Sequence, residues 1–387
     1  MDALPPSDIL PVFGDPLLFA DGWPERPYRK FQSATGLRAT CSWASIDRLL
    51  NDQALRVPAF RMAQDNKLLP LSAVTRSEQS TSLGLKGLAD PARIVAELGN
   101  GATLVLQGLQ RFWPPLTDIT RRLSSEIGHA VFVNAYLTPR SAQGFGAHHD
   151  PYHAWLMQTE GVKTWRLWAP ENDPEVGPPD LEIVLAEGDV LWIPRGWWHA
   201  GKSGAQPSLH LTFTVWAMKL AEVLTAVTAE LAGRSQLFGE FSPNAFHAGS
   251  QARATLKNAL AQIAQLIHEL DVNTLTERVI DIHVARFDPL PAQPVAAVLN
   301  SSQDLHYHTH AEGVLHIASD SSTIRLVTAD AVVTLTQEQF VRSKELLQRA
   351  GSFRVDDISE SFSGDRVLLG KLMDARLICA AGCDRKL

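Results

Sequence analysis

The sequence predicts a mainly β protein with additional helices, built from a barrel or jelly roll, a helical region and a small α+β module. Three observations support this fold class. Short strand-like runs follow one another closely between residues 102 and 216, apolar residues then recur at helical spacing, and residues 287–294 contain three prolines. We therefore divide the chain into a β-rich part (1–216), a helical part (217–286) and a C-terminal part (287–387).

Composition limits the classes of function. The 387 residues are 45% hydrophobic and 20% charged, so the chain can bury a substantial core. A formal net charge of −7 argues against a global attraction to nucleic acid or to an anionic membrane. The cysteines are too few for a disulfide framework. No signal-peptide pattern stands at the N-terminus and no run reaches about 18 apolar residues. We expect a soluble, cytoplasmic protein.

Turns, two helices and a series of strands are predicted before the helical part. The first hundred residues contain turns, a Ser-capped helix at SWASIDRLLND and a strand at LRVPAFRMA. From Ala102 onwards a strand precedes a helix that ends at Gly128. Closely spaced strands then follow: HAVFVNAYL, GFGAHHD, AWLMQT, KTWRLWAP, LEIVLAEGDVLWIP and LHLTFTVWAM. This spacing favours a closed or doubled antiparallel sheet.

The remaining elements are helical and then mixed. After Trp216, apolar residues at 3.6-residue spacing predict at least one long helix before Phe287. Short strands and a Thr-capped helix, TQEQFVRSKELLQRAG, predict a small C-terminal module for which a winged helix is the nearest common form. Its candidate helix has no basic stripe, because Arg342, Lys344 and Arg349 alternate with acidic and apolar residues. Contact with protein, or support of a dimer, is therefore favoured over DNA binding.

Three residues form a candidate metal site. If GAHHD is extended, His148 and Asp150 project from one face of the strand and His149 from the other. His199 follows a Pro-Arg-Gly turn further along the chain and can supply a third ligand. Two histidines and one carboxylate make the facial triad that holds non-haem Fe(II) with open positions. An H-x-D motif alone is weak; the joint pattern on predicted strands strengthens it.

Lys163 begins the strand after Asp150, behind the turn at Glu160-Gly161. A lone lysine is normally a solvated surface charge. On a neighbouring strand of the barrel, however, it suits the far carboxylate of a dicarboxylate cosubstrate. Arg166 is the next candidate for this role.

Residues 102–216 resemble the JmjC and cupin-like 2-oxoglutarate oxygenases, and most closely the ribosomal oxygenase branch of the bacterial ribosomal-protein hydroxylase type. The motifs that carry this resemblance are VNAYLTPRSAQGFGAHHD, MQTEGVKTWRLW, EGDVLWIPRGWWH and SLHLTFTV. The resemblance implies a double-stranded β-helix core, a helical dimerisation region and a winged-helix-like C-terminal domain. The N-terminal hundred residues match this layout only loosely.

The resemblance also implies roles for individual residues. His148, Asp150 and His199 would be the iron ligands, and Lys163 would anchor the far carboxylate of 2-oxoglutarate. Tyr136, in N-A-Y, would offer a hydroxyl to the same carboxylate.

Two further positions qualify this assignment. Asn134 is two residues before Tyr136 on the same strand face and is a further cosubstrate-binding candidate. His149 is a departure, since the family commonly has an aromatic residue there. It is an alternative ligand only if the register slips by one, which the alternation of strand faces disfavours.

The activity implied by the resemblance is Fe(II)-, 2-oxoglutarate- and O₂-dependent hydroxylation of a polypeptide side chain, a histidine or arginine of a ribosomal protein, by a homodimer. No direct nucleic-acid or membrane partner is expected. Two alternatives stay open: hydroxylation of a biosynthetic peptide or small molecule, and a non-catalytic metal-binding cupin. The intact set of triad and lysine argues against the second.

Two other features are weaker. His306, His308 and His310 alternate in HYHTH and could bind zinc, but without cysteine or acidic partners at zinc-site spacing an exposed strand face is preferred. The segment 169–175 contains three acids and is either a rim for a basic peptide or a solvated turn.

Overall fold

The computed structural model describes residues 9–77, 86–232, 240–241, 245–246, 249–289, 306–309, 316–319, 323–328, 331–347, 353–354 and 366–380. The α-helices are α1 (Leu10–Phe13), α2 (Trp43–Asp52), α3 (Leu71–Val74), α4 (Pro91–Gly99), α5 (Pro114–Ile127), α6 (Leu220–Leu231), α7 (Gly249–His268), α8 (Val272–Val284), α9 (Gln337–Leu347) and α10 (Arg366–Asp374). Short 3₁₀ helices lie at Pro16–Phe19, Thr35–Thr40 and Leu109–Arg111.

The strands before the helical part are β1 (Tyr28–Lys30), β2 (Phe60–Gln64), β3 (Lys67–Leu68), β4 (Thr103–Leu106), β5 (Ala130–Thr138), β6 (His148–His149), β7 (His153–Glu160), β8 (Lys163–Trp168), β9 (Leu181–Leu185), β10 (Val190–Ile193), β11 (Trp198–Ser203) and β12 (Ser208–Trp216). The C-terminal strands are β13 (His306–Thr309), β14 (His316–Ser319), β15 (Thr323–Val327), β16 (Val332–Thr336), β17 (Phe353–Arg354) and β18 (Ile378–Ala380).

Two antiparallel sheets form the β-rich part. One has eight strands in the order β1-β10-β7-β12-β5-β4-β2-β3, and the other has four in the order β6-β11-β8-β9. Side chains connect the two sheets, because the Nζ of Lys163 on β8 donates to the Oγ1 of Thr138 on β5 at 3.0 Å. The predicted fold class, a jelly-roll core with added helices, is confirmed. The domain boundaries stay a prediction.

Local signals in the sequence explain where the helices begin and end. Ser42 caps α2, where its side chain and that of Ser45 each accept a hydrogen bond from the other's backbone N–H. Helix α5 begins with Pro114 and ends at Gly128, whose φ of +67° is the left-handed conformation that glycine adopts readily. Helix α5 therefore stops just before β5 begins.

Strands β5 and β12 have two different faces. Their outward residues are apolar and buried, among them Val133 and Phe213, and they pack with residues of α2 and α5 in the main hydrophobic core. Their inward residues are polar between Asn134 and Thr138 on β5 and between Ser208 and Thr214 on β12, and the Thr138 side chain meets Lys163 of the four-stranded sheet. We call this second side the inner face; it comprises Asn134, Tyr136, Thr138, His210, Thr212 and Thr214.

The N-terminal segment covers one end of the larger sheet. Strand β1 pairs antiparallel with β10, and the guanidinium of Arg29 forms an ion pair of 2.5 Å with the buried carboxylate of Asp189. The indole N–H of Trp192 donates to the carbonyl of Pro24, and that of Trp197 to the carbonyl of Glu25. The chain before residue 31 thus holds the strand and turn that precede His199.

The helical and C-terminal parts have separate apolar clusters, and an ion pair of 2.8 Å between Arg325 and Glu277 joins them. Helices α6 and α8 share a small apolar cluster that includes Val227 and Leu270, and Glu230 pairs with Arg278 at 2.5 Å. The C-terminal sheet β14-β15-β16 packs with α9 and α10 around a second core. Among the described residues, no helix is both long enough and apolar enough to cross a membrane.

Candidate metal centre

His148, Asp150 and His199 lie together at one end of the jelly roll. One ligand atom from each comes within 4.8 Å of the others. The Nε2 of His199 is 3.7 Å from the Oδ2 of Asp150, and the imidazole rings of the two histidines are 4.4 Å apart between centroids. In the part of the chain that the structure describes, no other three His, Cys, Asp or Glu side chains cluster in this way.

The strand register explains this convergence. His148 on β6 pairs directly with His199 on β11. Asp150 immediately follows β6, and its carbonyl accepts a hydrogen bond of 3.0 Å from the N–H of Gly196. Gly196 has a φ of +85° and lies in the turn before β11, so this hydrogen bond connects the two chain segments that supply the three ligand atoms.

Hydrogen bonds fix the orientation of both imidazoles. The Nδ1 of His148 lies 3.0 Å from the carbonyl of Gly146, and the Nδ1 of His199 lies 3.1 Å from that of Trp197. A carbonyl oxygen only accepts, so each Nδ1 carries the proton and each Nε2 keeps its lone pair. Burial, and then the neighbouring His148, lowers the pKa of His199 to about 4. His199 is therefore neutral near pH 7, as a metal ligand must be.

His149 points away from the triad. It pairs with Trp198, and the two rings meet edge to face with centroids 4.5 Å apart. The ligand set that converges contains His148 and Asp150 but not His149. The register shift that would make His149 a ligand is thus absent from the described strands.

Lys163 lies deep in the space between the two sheets. Its side chain is buried, with 4% of the residue exposed, and among the described residues no carboxylate forms an ion pair with it. Burial lowers the pKa of Lys163 to about 7. A β-carbon at Gly201, on the adjacent strand, would come within 2.8 Å of the Lys163 Cε, so glycine there leaves room for the lysine.

Tyr136 and Asn134 lie on the inner face, as predicted. The Oδ1 of Asn134 accepts a hydrogen bond of 2.9 Å from the N–H of Gly108. Burial raises the pKa of the Tyr136 hydroxyl, although Arg61 and Asn134 hydrogen-bond to it and lower its pKa. The hydroxyl therefore keeps its proton and can donate to an anion.

Sequence reasoning missed several residues of this pocket. Trp165 is two positions after Lys163 and shares its strand face, while the His210 ring stacks on that of Tyr136 at 4.9 Å and 9°. Arg61 reaches the same tyrosine from β2. Arg166, the reserve candidate for the carboxylate, is on the outer face of β8 and exposed, so this expectation is wrong.

The donor set fits the predicted iron. Two neutral imidazole nitrogens and one carboxylate oxygen are the ligands of a facial triad. His148 is exposed and the carboxylate of Asp150 is half-exposed, so the protein leaves one side of the triad open to further ligands.

Comparisons with known proteins agree with this geometry. Residues 106–223 match the JmjC domain family. The resemblance to the ribosomal oxygenase branch is confirmed by relatives at the sequence level. Ribosomal oxygenase 1 of Danio rerio is 27% identical over 216 residues, which is 52% of this chain and 38% of that protein.

A second relative and a solved structure extend the comparison. The bifunctional lysine-specific demethylase and histidyl-hydroxylase NO66 of Drosophila persimilis is 27% identical over 209 residues, 51% of this chain and 29% of its own length. The chain therefore spans well under half of these curated relatives. The ribosomal oxygenase YcfD from Escherichia coli, solved with cobalt and 2-oxoglutarate, aligns with a TM-score of 0.59 at 14% identity over 95% of this chain and 98% of that one. This likeness shows the shared fold.

The weaker candidates have separate outcomes. His306 and His308 lie on β13, and His310 lies outside the described residues, so the exposed strand face preferred over zinc binding there stays a prediction. The loop after β8 carries Glu171, Asp173 and Glu175, all exposed. Its Pro170 lies next to Gly196 in the turn before His199, with 3.8 Å between a β-carbon built on Gly196 and the proline Cγ.

Proposed function

We propose that this chain is an Fe(II)- and 2-oxoglutarate-dependent hydroxylase of a polypeptide side chain, a histidine or arginine of a ribosomal protein. The observation that carries the proposal is the triad of His148, Asp150 and His199 on the same four-stranded sheet as the buried cation Lys163, with the Trp165 ring 6.1 Å from that of His199 and 5.2 Å from the Lys163 Nζ. A metal site and an anchor for the far carboxylate of a dicarboxylate thus border the same space between the sheets.

The roles of the protein groups follow from their positions. The bound iron, with 2-oxoglutarate and O₂, supplies the oxidation of a substrate C–H bond to C–OH, with release of succinate and CO₂. His148, Asp150 and His199 hold the metal. Lys163, kept in place by Thr138, binds the far carboxylate, and Tyr136 donates its hydroxyl to the same group.

Positioning is the main task of the protein. Ligand side chains on paired strands of a sheet lose little entropy when metal and cosubstrate bind. The apolar outer faces of β5 and β12 keep water from the back of the pocket. Substrate approaches from the open side, where His148 and Asp150 are accessible.

A basic polypeptide suits this entrance. The acidic loop (residues 169–175) adjoins the turn before His199 and presents three exposed carboxylates. Such groups attract a cationic segment through long-range electrostatics, which changes association more than the chemical step. The names of the relatives, ribosomal oxygenases and a histidyl-hydroxylase, support ribosomal protein as the substrate class.

The test is a mass-spectrometric comparison of ribosomal proteins from wild-type cells and from a deletion strain. We expect one histidyl or arginyl peptide to lose the mass of one oxygen atom in the deletion strain, and purified enzyme to restore it with Fe(II) and 2-oxoglutarate. If purified enzyme hydroxylates a small metabolite and the ribosomal proteins are unmodified, the biosynthetic alternative is favoured. Absence of any 2-oxoglutarate turnover would leave the metal-binding cupin.

The acidic loop provides a sharper test of the substrate class. Replacing Glu171, Asp173 and Glu175 by lysine should slow hydroxylation of a basic ribosomal fragment and leave uncoupled 2-oxoglutarate turnover unchanged. The matched control reverses three exposed acids of helices α2 and α5, Asp47, Asp52 and Asp118, which are remote from the triad. Unchanged peptide hydroxylation in the loop variant would contradict a role for this loop.

We further propose a homodimer formed through the helical part. On α7 the apolar residues Leu256, Leu260, Ile263 and Ile267 follow the four- and three-residue spacing of a packing seam, yet all four are exposed in the single chain. Light scattering should give twice the 42.4 kDa of one chain. Leu260→Lys should shift the measured mass towards that of one chain, while Lys257→Glu on the same helix should leave the measured mass unchanged. A wild-type mass of one chain would refute the dimer.

A reducing, cytoplasmic location is part of the proposal. Cys41 and Cys379 are free and buried, and burial raises the pKa of the Cys41 thiol to about 12. A thiol of this kind is unreactive towards oxidants.

A further inference from the structure

Three buried polar atoms without a hydrogen-bond partner belong to side chains that border the inner face. They are the Nε of Arg61, the Nε1 of Trp165 and the Nδ1 of His210. The rings of Trp165 and His210 are 5.1 Å apart, and the Lys163 Nζ is 5.2 Å from the Trp165 ring. Buried polar groups in folded proteins are almost always paired. Three unpartnered polar atoms on side chains around one space indicate a polar ligand between the sheets.

Arg61 belongs to this group through the strand register. Arg61 on β2 and Tyr136 on β5 both pair with Val105 of the intervening strand β4, and His210 pairs with Tyr136 on the other side. These side chains therefore form one row across the sheet. The guanidinium reaches the Tyr136 hydroxyl within this row.

The charge of Arg61 is not neutralised within the described part of the chain. No carboxylate there forms an ion pair with it, and its nearest aromatic partner is Phe145, with the guanidinium carbon 5.7 Å from the ring centroid. Phe145 in turn lies 6.1 Å from the ring of His148. A half-buried guanidinium without a counter-ion, so close to a metal-binding triad, favours an anionic ligand.

We infer that Arg61 is a specificity-determining residue that, together with Lys163 and Tyr136, binds the far carboxylate of a 2-oxo dicarboxylic acid. This inference rests on the proposed function and adds a second cation to its cosubstrate pocket. Arg61 comes from the N-terminal segment, where the family resemblance is loose, and not from the motifs that carry the resemblance.

A second cation has a physical reason. The Lys163 ammonium is desolvated, and its pKa of about 7 leaves it only partly charged near neutrality while the pocket is empty. A guanidinium stays charged throughout the physiological range and binds carboxylate oxygens through two parallel N–H groups. Arg61 therefore keeps the pocket positive when Lys163 is neutral.

The experiment compares two ligands that differ by one carboxylate. Calorimetry measures the Kd of 2-oxoglutarate and of 2-oxopentanoate for the Mn(II)-loaded protein. Arg61→Met should raise the Kd of 2-oxoglutarate by about ten- to a hundredfold, which is the range for a charged hydrogen bond. The Kd of 2-oxopentanoate should change by less than about twofold. The matched control is Arg166→Met, which removes an exposed cation from the outer face of β8 and should change neither Kd.

The remaining outcomes are distinguishable. Equal weakening of both ligands, or none, overturns the inference, as does an effect confined to the KM of a peptide substrate. If Arg61→Met fails to fold, Arg61→Lys serves instead and should recover part of the selectivity. If the wild type binds no 2-oxoglutarate, the proposed function and this inference fall together; if the wild type binds it and Arg61→Met binds it equally well, the inference alone fails.

Discussion

The two faces of strands β5 and β12 have opposite properties. On the outer face, Leu209, Leu211, Phe213 and Val215 have no exposed surface, and they pack with helix α5 in the main core. On the inner face, each intervening residue is polar. Because side chains alternate along a strand, the same residues that fix the fold on one side place Tyr136 and His210 on the other. Stability and ligand binding are therefore separable by single substitutions.

The largest effect should come from the metal ligands. His199→Ala or Asp150→Ala leaves two ligands of a three-ligand site, so turnover should be abolished and Mn(II) affinity should fall sharply. Calorimetric titration with Mn(II) measures this. His149→Ala is the matched control, because that ring packs on Trp198 outside the triad, and it should retain affinity. Full affinity in the ligand variants would refute the assignment.

The outer face should determine stability. Phe213 is fully buried and meets the ring of Phe13 at 4.9 Å. Phe213→Ala should lower the free energy of unfolding by about 3–5 kcal/mol. Its neighbour Thr212 faces inward, so Thr212→Ala should cost less than about 1 kcal/mol. Denaturant titration of both variants checks the contrast, and equal losses would show that the two faces are not independent.

The inner face should determine cosubstrate affinity. Truncating one partner of a buried charge pair costs about 2–5 kcal/mol, so Lys163→Ala should raise the KM for 2-oxoglutarate by roughly thirtyfold or more. Mn(II) affinity should stay unchanged. Steady-state kinetics at saturating metal measures the effect. An unaffected KM would assign the main anchor to Arg61 instead.

A smaller effect concerns pH. Since burial lowers the pKa of Lys163 to about 7, the empty pocket loses this positive charge as pH rises through 7. Binding of the dianion must then also bind a proton, so 2-oxoglutarate affinity should fall by up to about tenfold per pH unit above 7. Lys163→Arg keeps its charge and should flatten this dependence. A pH-independent wild-type Kd between pH 6 and 9 would contradict it.

Much of the site was predictable because its signals are local. His148 and Asp150 are separated by one residue, and His199 follows a marked Pro-Arg-Gly turn, so motif spacing and strand alternation made the three residues candidates, and the family resemblance implied their roles as ligands. Lys163 could be predicted as a candidate for the same reason, because it begins a strand after a tight turn. The close spacing of strands predicted a barrel or a jelly roll, the family resemblance implied the jelly roll, and the apolar period predicted the helical part.

The missed residues depend on long-range pairing. Arg61 reaches the pocket only because β2 pairs with β4 and β4 with β5, a neighbourhood that nothing in LRVPAFRMA indicates. His210 was missed for the same reason, although its spacing of two residues from Thr212 and four from Thr214 places it on their face. The prediction for Arg166 failed because Lys163 lies three residues earlier, and an odd spacing along a strand places two side chains on opposite faces.

The attachment of the N-terminal segment to β10 has a consequence for folding. Arg29 and Asp189 are 160 positions apart in the chain, yet they form one ion pair. The carbonyls of Pro24 and Glu25 likewise accept hydrogen bonds from the indoles of Trp192 and Trp197, far along the chain. During synthesis the first segment must therefore stay unpaired until the strand that carries its partners has emerged. Contacts of such high sequence separation slow folding, because loop-closure entropy is lost before the contacts form. The turn before His199 is completed in the same late step, so acquisition of metal affinity should report the final stage of refolding.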